Sequence, residues 1–342
     1  MKIAFSTLGC PDFDWPDIYS MAKDLGFDGI EIRGLGKDIF AVRAKPFTEN
    51  ELPNTIKKLK ELRIEIPCLS SGCCLKFADK AEQNHNEIVQ YIELANKLGT
   101  PYVRILADLE PQPEGEVDDG AVLAALRRLI PIAEEKGVTL LIETNGVYAD
   151  TKRLSELLAS AASDNVGALW DVHHPYRYVG ESADTTVKNL GAYIKYVHVK
   201  DSVMQDGKVS YRMMGEGDLP MDDFMMALHS VNYEGYISLE WVKRWASDLS
   251  DAGVVFPHFV NYMNSYIEKD TSKGRLYYNN AKTGQYIWEK DVLIDLTFPQ
   301  VLDRVVAEFP DQYAFRYTTH DYTRTYKEFR DDVDTFARSL IA

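Results

Sequence analysis

Four apolar runs between residues 138 and 241 each finish in a residue able to hold a metal ion, and this repetition limits the folds open to the chain. Val138–Asn145 ends in Glu143, and Asn165–Tyr178 runs through Trp170 into Asp171, with His174 one turn later. Tyr193–Ser202 holds His198 near its far end, and Gly235–Trp241 ends in Glu240. Apolar runs bounded by turn residues read as buried strands, which rarely finish in acids and imidazoles. Three carboxylates and one histidine gathered at strand ends would form a single oxygen-rich site for one divalent ion.

The rest of the chain extends the pattern. Strand-like Lys2–Thr7, Phe27–Arg33, Ile64–Ser71 and Tyr102–Leu106 alternate with helical periods over Trp15–Leu25, Glu49–Leu62, Asp79–Leu98 and Asp119–Lys136. Further helices are expected at Thr151–Ala162, Ala183–Leu190, Met221–Val231 and roughly Ser250–Ile267. Eight strand–helix alternations without hairpin signals predict an α/β fold closed into a (β/α)8 TIM barrel over residues 1–270. The dinucleotide fingerprint is missing, because Gly34-Leu35-Gly36 lacks its third glycine and follows the second strand. Catalytic groups of such a barrel lie at strand C-termini, where all four candidate ligands fall.

A net charge of −15 argues against nonspecific binding to nucleic acid or to an anionic membrane. The opening MKIAFSTLGC is too short and too soon interrupted by Pro11, Asp12 and Asp14 for a signal peptide or membrane span, so a cytoplasmic location is expected. The four cysteines form no CxxC pattern and read as reduced thiols.

Six motifs in order, GFDGIEI (Gly26–Ile32), LIE (Leu141–Glu143), D-x-x-H (Asp171–His174), HVKD (His198–Asp201), G-E-G (Gly215–Gly217) and SLE (Ser238–Glu240), give a chain that resembles the xylose-isomerase-like sugar isomerase/epimerase family of TIM barrels. The resemblance implies that Glu143, Asp171, His198 and Glu240 hold the metal and that His174 and Arg212 contact substrate hydroxyls. Three carboxylates with one imidazole favour Mn²⁺ or Mg²⁺, with Co²⁺ and Zn²⁺ also accommodated. The expected activity is metal-dependent isomerisation or epimerisation of a small sugar or related polyhydroxy carbonyl compound. Proton abstraction beside a metal-bound carbonyl would give an ene-diolate, with Glu143 and Glu240 as catalytic base and acid on the two faces.

Around that set, Lys200 could stabilise developing negative charge or pair with Asp201 or Glu216. Arg104 and Glu31 could line the pocket or form a polar inner layer of the barrel, and His173 reads as structural. Phe5, Trp15, Phe40, Trp241 and Trp245 could supply an apolar wall for a sugar face. Dehydration of an inosose- or dehydroshikimate-like substrate uses the same proton abstraction. An endonuclease IV-like phosphodiesterase is disfavoured, because strands three and four and the loop Ser202–Asp218 lack its extra histidines. A noncatalytic sugar-binding barrel fits the intact ligand set least well. Family resemblance also implies a homo-oligomer.

From about Asp270 the composition turns polar, and residues 271–295 read as a linker. Leu296–Phe309 has a helical period, Tyr313–Tyr317 reads as a strand, and Thr325–Ala342 as a helix. Residues 296–342, with T-Y-x-E at Thr325–Glu328, resemble the N-terminal opening of an AMP-forming acyl-CoA synthetase/ligase. The resemblance implies a truncated segment without adenylating activity, and a functional link to such a ligase.

Overall fold

The computed structural model describes residues 1–266, 297–317 and 322–341. The linker expected at 271–295 lies outside the described residues. Contacts divide the chain into two units, Met1–Glu268 and Lys269–Ala342.

In the first unit eight parallel strands form one sheet: β1 (Lys2–Ser6), β2 (Gly29–Glu31), β3 (Cys68–Cys74), β4 (Tyr102–Leu106), β5 (Thr139–Glu143), β6 (Val166–Asp171), β7 (Ile194–Val199) and β10 (Tyr236–Leu239). β10 pairs with both β7 and β1. The remaining seam, between β2 and β3, is closed by parallel bridges Gly29↔Glu65 and Ile32↔Leu69, with Ile32 N–H donating to Cys68 O at 3.1 Å. The sheet is therefore a TIM barrel, as expected. The seam strands differ from their expected bounds: β2 is three residues long, and β3 begins at Cys68 because Pro67 has no N–H for a ladder.

The helices α1 (Trp15–Leu25), α2 (Leu52–Leu62), α3 (Ala81–Leu98), α4 (Asp119–Lys136), α5 (Thr151–Ala161), α6 (Ala183–Leu190), α7 (Met221–Ser230) and α8 (Ala252–Met263) complete the barrel unit. Asp14, Asp118, Asp150 and Ser182 cap α1, α4, α5 and α6, while Gly26, Gly99 and Gly137 end α1, α3 and α4 in the left-handed conformation. The large apolar core joins strand residues such as Ile142, Trp170 and Val197 to helix residues such as Leu126, Leu158 and Phe256. Burying each such side chain contributes about 1.5–3 kcal/mol.

The barrel interior is layered by the two-residue period of its strands. A lower layer of Ala4, Cys68, Leu141, Leu169, Tyr196 and Tyr236 is apolar. Two residues further along each strand stand Ser6, Ser70, Glu143, Asp171, His198 and Ser238, all buried. One step of the pleat thus turns a greasy plug into a polar floor. Gly29 makes room for the plug, since a Cβ there would stand 2.8 Å from the Tyr236 ring.

The sequence reading admitted no hairpin, yet one follows β7. β8 (Asp201–Gln205) pairs antiparallel with β9 (Lys208–Arg212) across Asp206-Gly207. Both turn residues have positive φ, 50° and 74°, as the Asp-Gly turn of a two-residue hairpin requires. The returning loop is held by Asp201, whose carboxylate accepts from the backbone N–H of Ser202, Gly215 and Gly217 at 2.8–2.9 Å. Gly217 is obligatory there, because a Cβ would meet Asp201 Oδ1 at 2.0 Å. The G-E-G motif is thereby a lid on a buried carboxylate.

In the second unit, a helix Phe298–Glu308 precedes an antiparallel pair, Tyr313–Tyr317 with Tyr322–Thr325, and a helix Tyr326–Ile341. The T-Y-x-E motif is a capping box: Thr325 Oγ1 accepts from Glu328 N–H at 3.2 Å, and Glu328 Oε2 accepts from Thr325 N–H at 2.8 Å. No helix among the described residues is long and apolar enough to cross a membrane.

Asp201→Ala removes one acceptor from several buried donors and is expected to lower stability by about 3 kcal/mol. Urea denaturation should show a lower midpoint at unchanged slope, and an unchanged midpoint would refute this account of the loop.

Candidate metal centre

The four expected ligands converge. One donor atom each from Glu143, Asp171, His198 and Glu240 lies within 4.8 Å of the others, and all four residues are buried. His198 Nδ1 is the centre of the group, 3.4 Å from Glu143 Oε1, 3.5 Å from Glu240 Oε1 and 4.0 Å from Asp171 Oδ2. Ligands about 2.1 Å from one ion stand about 3–3.5 Å from their neighbours, so the donors are already near the spacing an ion needs.

The tautomer of His198 follows from its other side. Nε2 lies 2.8 Å from Glu31 Oε2, and a carboxylate only accepts, so Nε2 carries the hydrogen and Nδ1 turns a lone pair toward the three acids. Nδ1 is buried without a hydrogen-bond partner. An imidazole nitrogen without a hydrogen-bond partner and facing three carboxylates suits a cation, either a proton or a divalent metal ion. Burial opposes a charge on this ring, but Glu31 and Glu240 overcome it and hold the His198 pKa well above its ordinary value. A metal ion bound between the carboxylates would take the place of that proton.

Glu31 is itself buried and accepts from Ser70 Oγ at 2.6 Å and Ser238 Oγ at 2.8 Å. Burial pushes its carboxyl up, yet the charge of His198 and the hydrogen bonds from His198 and Ser70 bring it below the usual range. Of the two roles open to Glu31 in the sequence, the structure selects the polar inner layer, in direct contact with the metal-facing histidine.

Two cations brace the acids. Arg104 Nε lies 3.1 Å from Glu143 Oε2, and Arg104 Nη1 donates to Ser71 O at 2.9 Å. Burial works against ionisation of Glu143, but Arg104 and His198 outweigh it and hold the carboxyl far below its normal range. Lys200 pairs with neither Asp201 nor Glu216: its ammonium sits between Asp171 and Glu240, donating to Glu240 Oε2 at 2.5 Å. Against the penalty of burial, Lys200 and His198 bring Glu240 down to about 2. Each glutamate thus has one oxygen tied to a buried cation and the other turned toward His198.

The remaining candidates divide. His174 joins the cluster, with Nε2 3.6 Å from Asp171 Oδ2 and Nδ1 on the Thr144 carbonyl at 3.0 Å. His173 is structural, bonding Ser202 Oγ through Nε2 at 2.9 Å. Burial, with Lys200 next, pushes its pKa down. Arg212 stands on the hairpin and donates to Ser210 Oγ and Tyr211 O at 2.6 and 3.0 Å. Trp241 is packed in the outer core with its indole N–H on Ser250 O at 2.8 Å, and Phe5 packs on Phe27 and Phe256 in the same core. Neither forms an open wall, whereas Trp245 is 56% exposed. Thr144 was missed in the sequence: its hydroxyl accepts from Asp171 N–H at 2.9 Å and fixes the end of β6. All four cysteines are buried and unpaired.

Comparison with known proteins agrees with the barrel fold. Fructoselysine 3-epimerase of Escherichia coli O157:H7 is 25% identical over 269 residues, covering 72% of this chain and 93% of that protein. Inosose dehydratase of Clostridium perfringens is 24% identical over 225 residues, covering 56% and 75%. The crystal structure of D-psicose 3-epimerase in the presence of D-fructose superposes with a TM-score of 0.63 at 17% identity, covering 78% of this chain and 99% of that one. Residues 20–255 match the xylose isomerase-like TIM barrel family, and the chain belongs to it.

Proposed function

We propose that the chain is a divalent-metal-dependent epimerase or isomerase of a small ketose or related polyhydroxy carbonyl compound, with Mn²⁺ or Mg²⁺ as the preferred ion. The observation that carries this reading is the pairing of Glu143 and Glu240 about His198 Nδ1, each with one oxygen braced and the other available. Glu143, Asp171, His198 and Glu240 would hold the ion. When bound, it supplies Lewis acidity, polarising a carbonyl and its neighbouring hydroxyl and so easing loss of the proton between them.

The chain's own groups do the rest. Glu143, ionised because Arg104 faces it, accepts the proton from one face of the carbon. Glu240, ionised at rest beside Lys200, serves the opposite face by taking a proton from solvent and passing it to the carbon, while Glu143 releases its own to solvent, so that the product has the mass of the substrate. Lys200, fixed between Asp171 and Glu240, meets negative charge developing on the substrate oxygens. His174 orients a hydroxyl through Nε2, since Nδ1 is occupied by the Thr144 carbonyl. Arg212, opposite Asp201 at the base of the hairpin, is assigned to substrate.

The likeness to inosose dehydratase supports a second reading on the same residues. There the neighbouring hydroxyl leaves as water, with its proton supplied by the second glutamate. For residues 296–342, the order helix, strand pair, capped helix supports a synthetase-like opening segment beyond the barrel of residues 1–270.

The full chain loaded with Mn²⁺ should carry about one ion, and Asp171→Asn should lose it in elemental analysis. Glu31→Gln should weaken binding about 10- to 100-fold while leaving the ligands in place. At 100 times its dissociation constant, the ion should add about 2.7 kcal/mol to stability in denaturant titrations. No ion under any loading would sink the assignment.

In deuterium oxide, a ketose substrate should gain deuterium beside its carbonyl, by NMR. Glu143→Gln and Glu240→Gln should each slow that exchange about 10²- to 10⁴-fold with metal retained. Retained exchange in both would refute the assignment of base and acid, and a product lighter by one water would select the dehydratase.

A further inference from the structure

Arg33 stands two residues beyond Glu31, in the bend that follows the C-terminal end of β2. Where Arg104 and Lys200 both have carboxylate partners, the guanidinium of Arg33 makes no hydrogen bond or ion pair among the described residues. Its Nη1 is shut off from solvent and unsatisfied. Burial pushes its pKa down, Arg104 and Arg244 push the same way, and Tyr91 and Glu240 oppose them. The group is therefore a cation held close to the charged layer without an ion-pair partner among the described residues, an arrangement a folded chain rarely keeps without a use for it.

Nε and Nη2, unlike Nη1, are not shut off and form the donor edge open to a ligand. The half-exposed Trp245 ring lies against the guanidinium, 5.8 Å from Cζ to centroid, and a ring on the face leaves the in-plane N–H groups free. Near Nη2 is Gly72, solvent-exposed within an otherwise buried strand. A Cβ there would stand 3.0 Å from Arg33 Nη2, so a larger residue would crowd that donor.

We propose that Arg33 binds an oxyanion, a carboxylate or a phosphate, carried by the substrate away from its reacting carbonyl. The natural substrate is then an acidic sugar derivative rather than a neutral ketose. A guanidinium fork matches either oxyanion through two parallel hydrogen bonds. The inference rests on the sugar reading of the metal centre and deepens it by naming the substrate's charge.

The test is equilibrium binding to the Mn²⁺-loaded full chain, by calorimetry and by the fluorescence of Trp245. The probes are D-fructose, D-fructose 6-phosphate and D-fructuronate, with wild type, Arg33→Leu and Arg33→Lys. At least one anionic sugar should bind wild type 10-fold or more tighter than D-fructose. In Arg33→Leu that ratio should collapse toward one, and in Arg33→Lys it should fall to an intermediate value, because the charge remains while the fork is lost. The anion that shows the ratio identifies carboxylate or phosphate. A preference that survives Arg33→Leu, or no preference in wild type, overturns the proposal. If Arg33→Leu does not fold, an unchanged ratio in Arg33→Lys overturns it. Deuterium exchange on the same samples separates the two readings: an Arg33-dependent preference without exchange sinks the epimerase assignment and leaves the anion site standing.

Discussion

The hydrogen bond from His198 Nε2 to Glu31 is the contact on which the rest of the centre depends. It joins β7 to β2 across the inside of the barrel, fixes which imidazole nitrogen carries hydrogen, and turns the other toward three acids. The bond survives burial because Glu31 is itself satisfied by Ser70 and Ser238, from two further strands. Residues far apart in sequence thus form one polar layer, and each depends on its neighbours for solvation that water would otherwise supply.

Charge explains why that layer could hold a dication. Glu31, Glu143, Asp171 and Glu240 face two buried cations, Arg104 and Lys200, which leaves two negative charges when His198 is neutral. Removing charges from water is costly unless they are paired, and a divalent ion completes the pairing. The braces also divide the labour within each carboxylate: the oxygen held by Arg104 or Lys200 fixes direction, and the other remains for chemistry. Arg33 lies outside this balance, in the bend after β2, and the oxyanion assigned to it is what would neutralise it.

The fold was largely legible because its signals are local. Apolar runs of strand length alternated with helical periods, and Asp or Ser caps and glycine stops marked the helix ends at Asp14, Asp118, Gly99 and Gly137. The ligand residues were legible for a related reason: an acid or imidazole at the end of a buried run is conspicuous. What escaped notice was the β8–β9 hairpin, though Asp206-Gly207 is a strong turn signal. Its strands are short and half-exposed, and most of them fell in the stretch read as the loop Ser202–Asp218. Trp241 was misjudged because an aromatic beside a ligand faces the mouth or the outer core according to pleat direction, which composition does not reveal.

By itself, the sequence determined that eight strands would alternate with eight helices and that Glu143, Asp171, His198 and Glu240 would stand at strand ends, because hydrophobic period and turn chemistry are properties of neighbours along the chain. Only the tertiary structure decided that Lys200 would reach Asp171 and Glu240, that Arg104 would brace Glu143, that Glu31 would hold His198, and that Arg33 would be left unpaired. Those pairings depend on which strands meet across a closed barrel and how far each side chain projects into it. Burial then makes each choice consequential, since a charge removed from water must find its partner within reach.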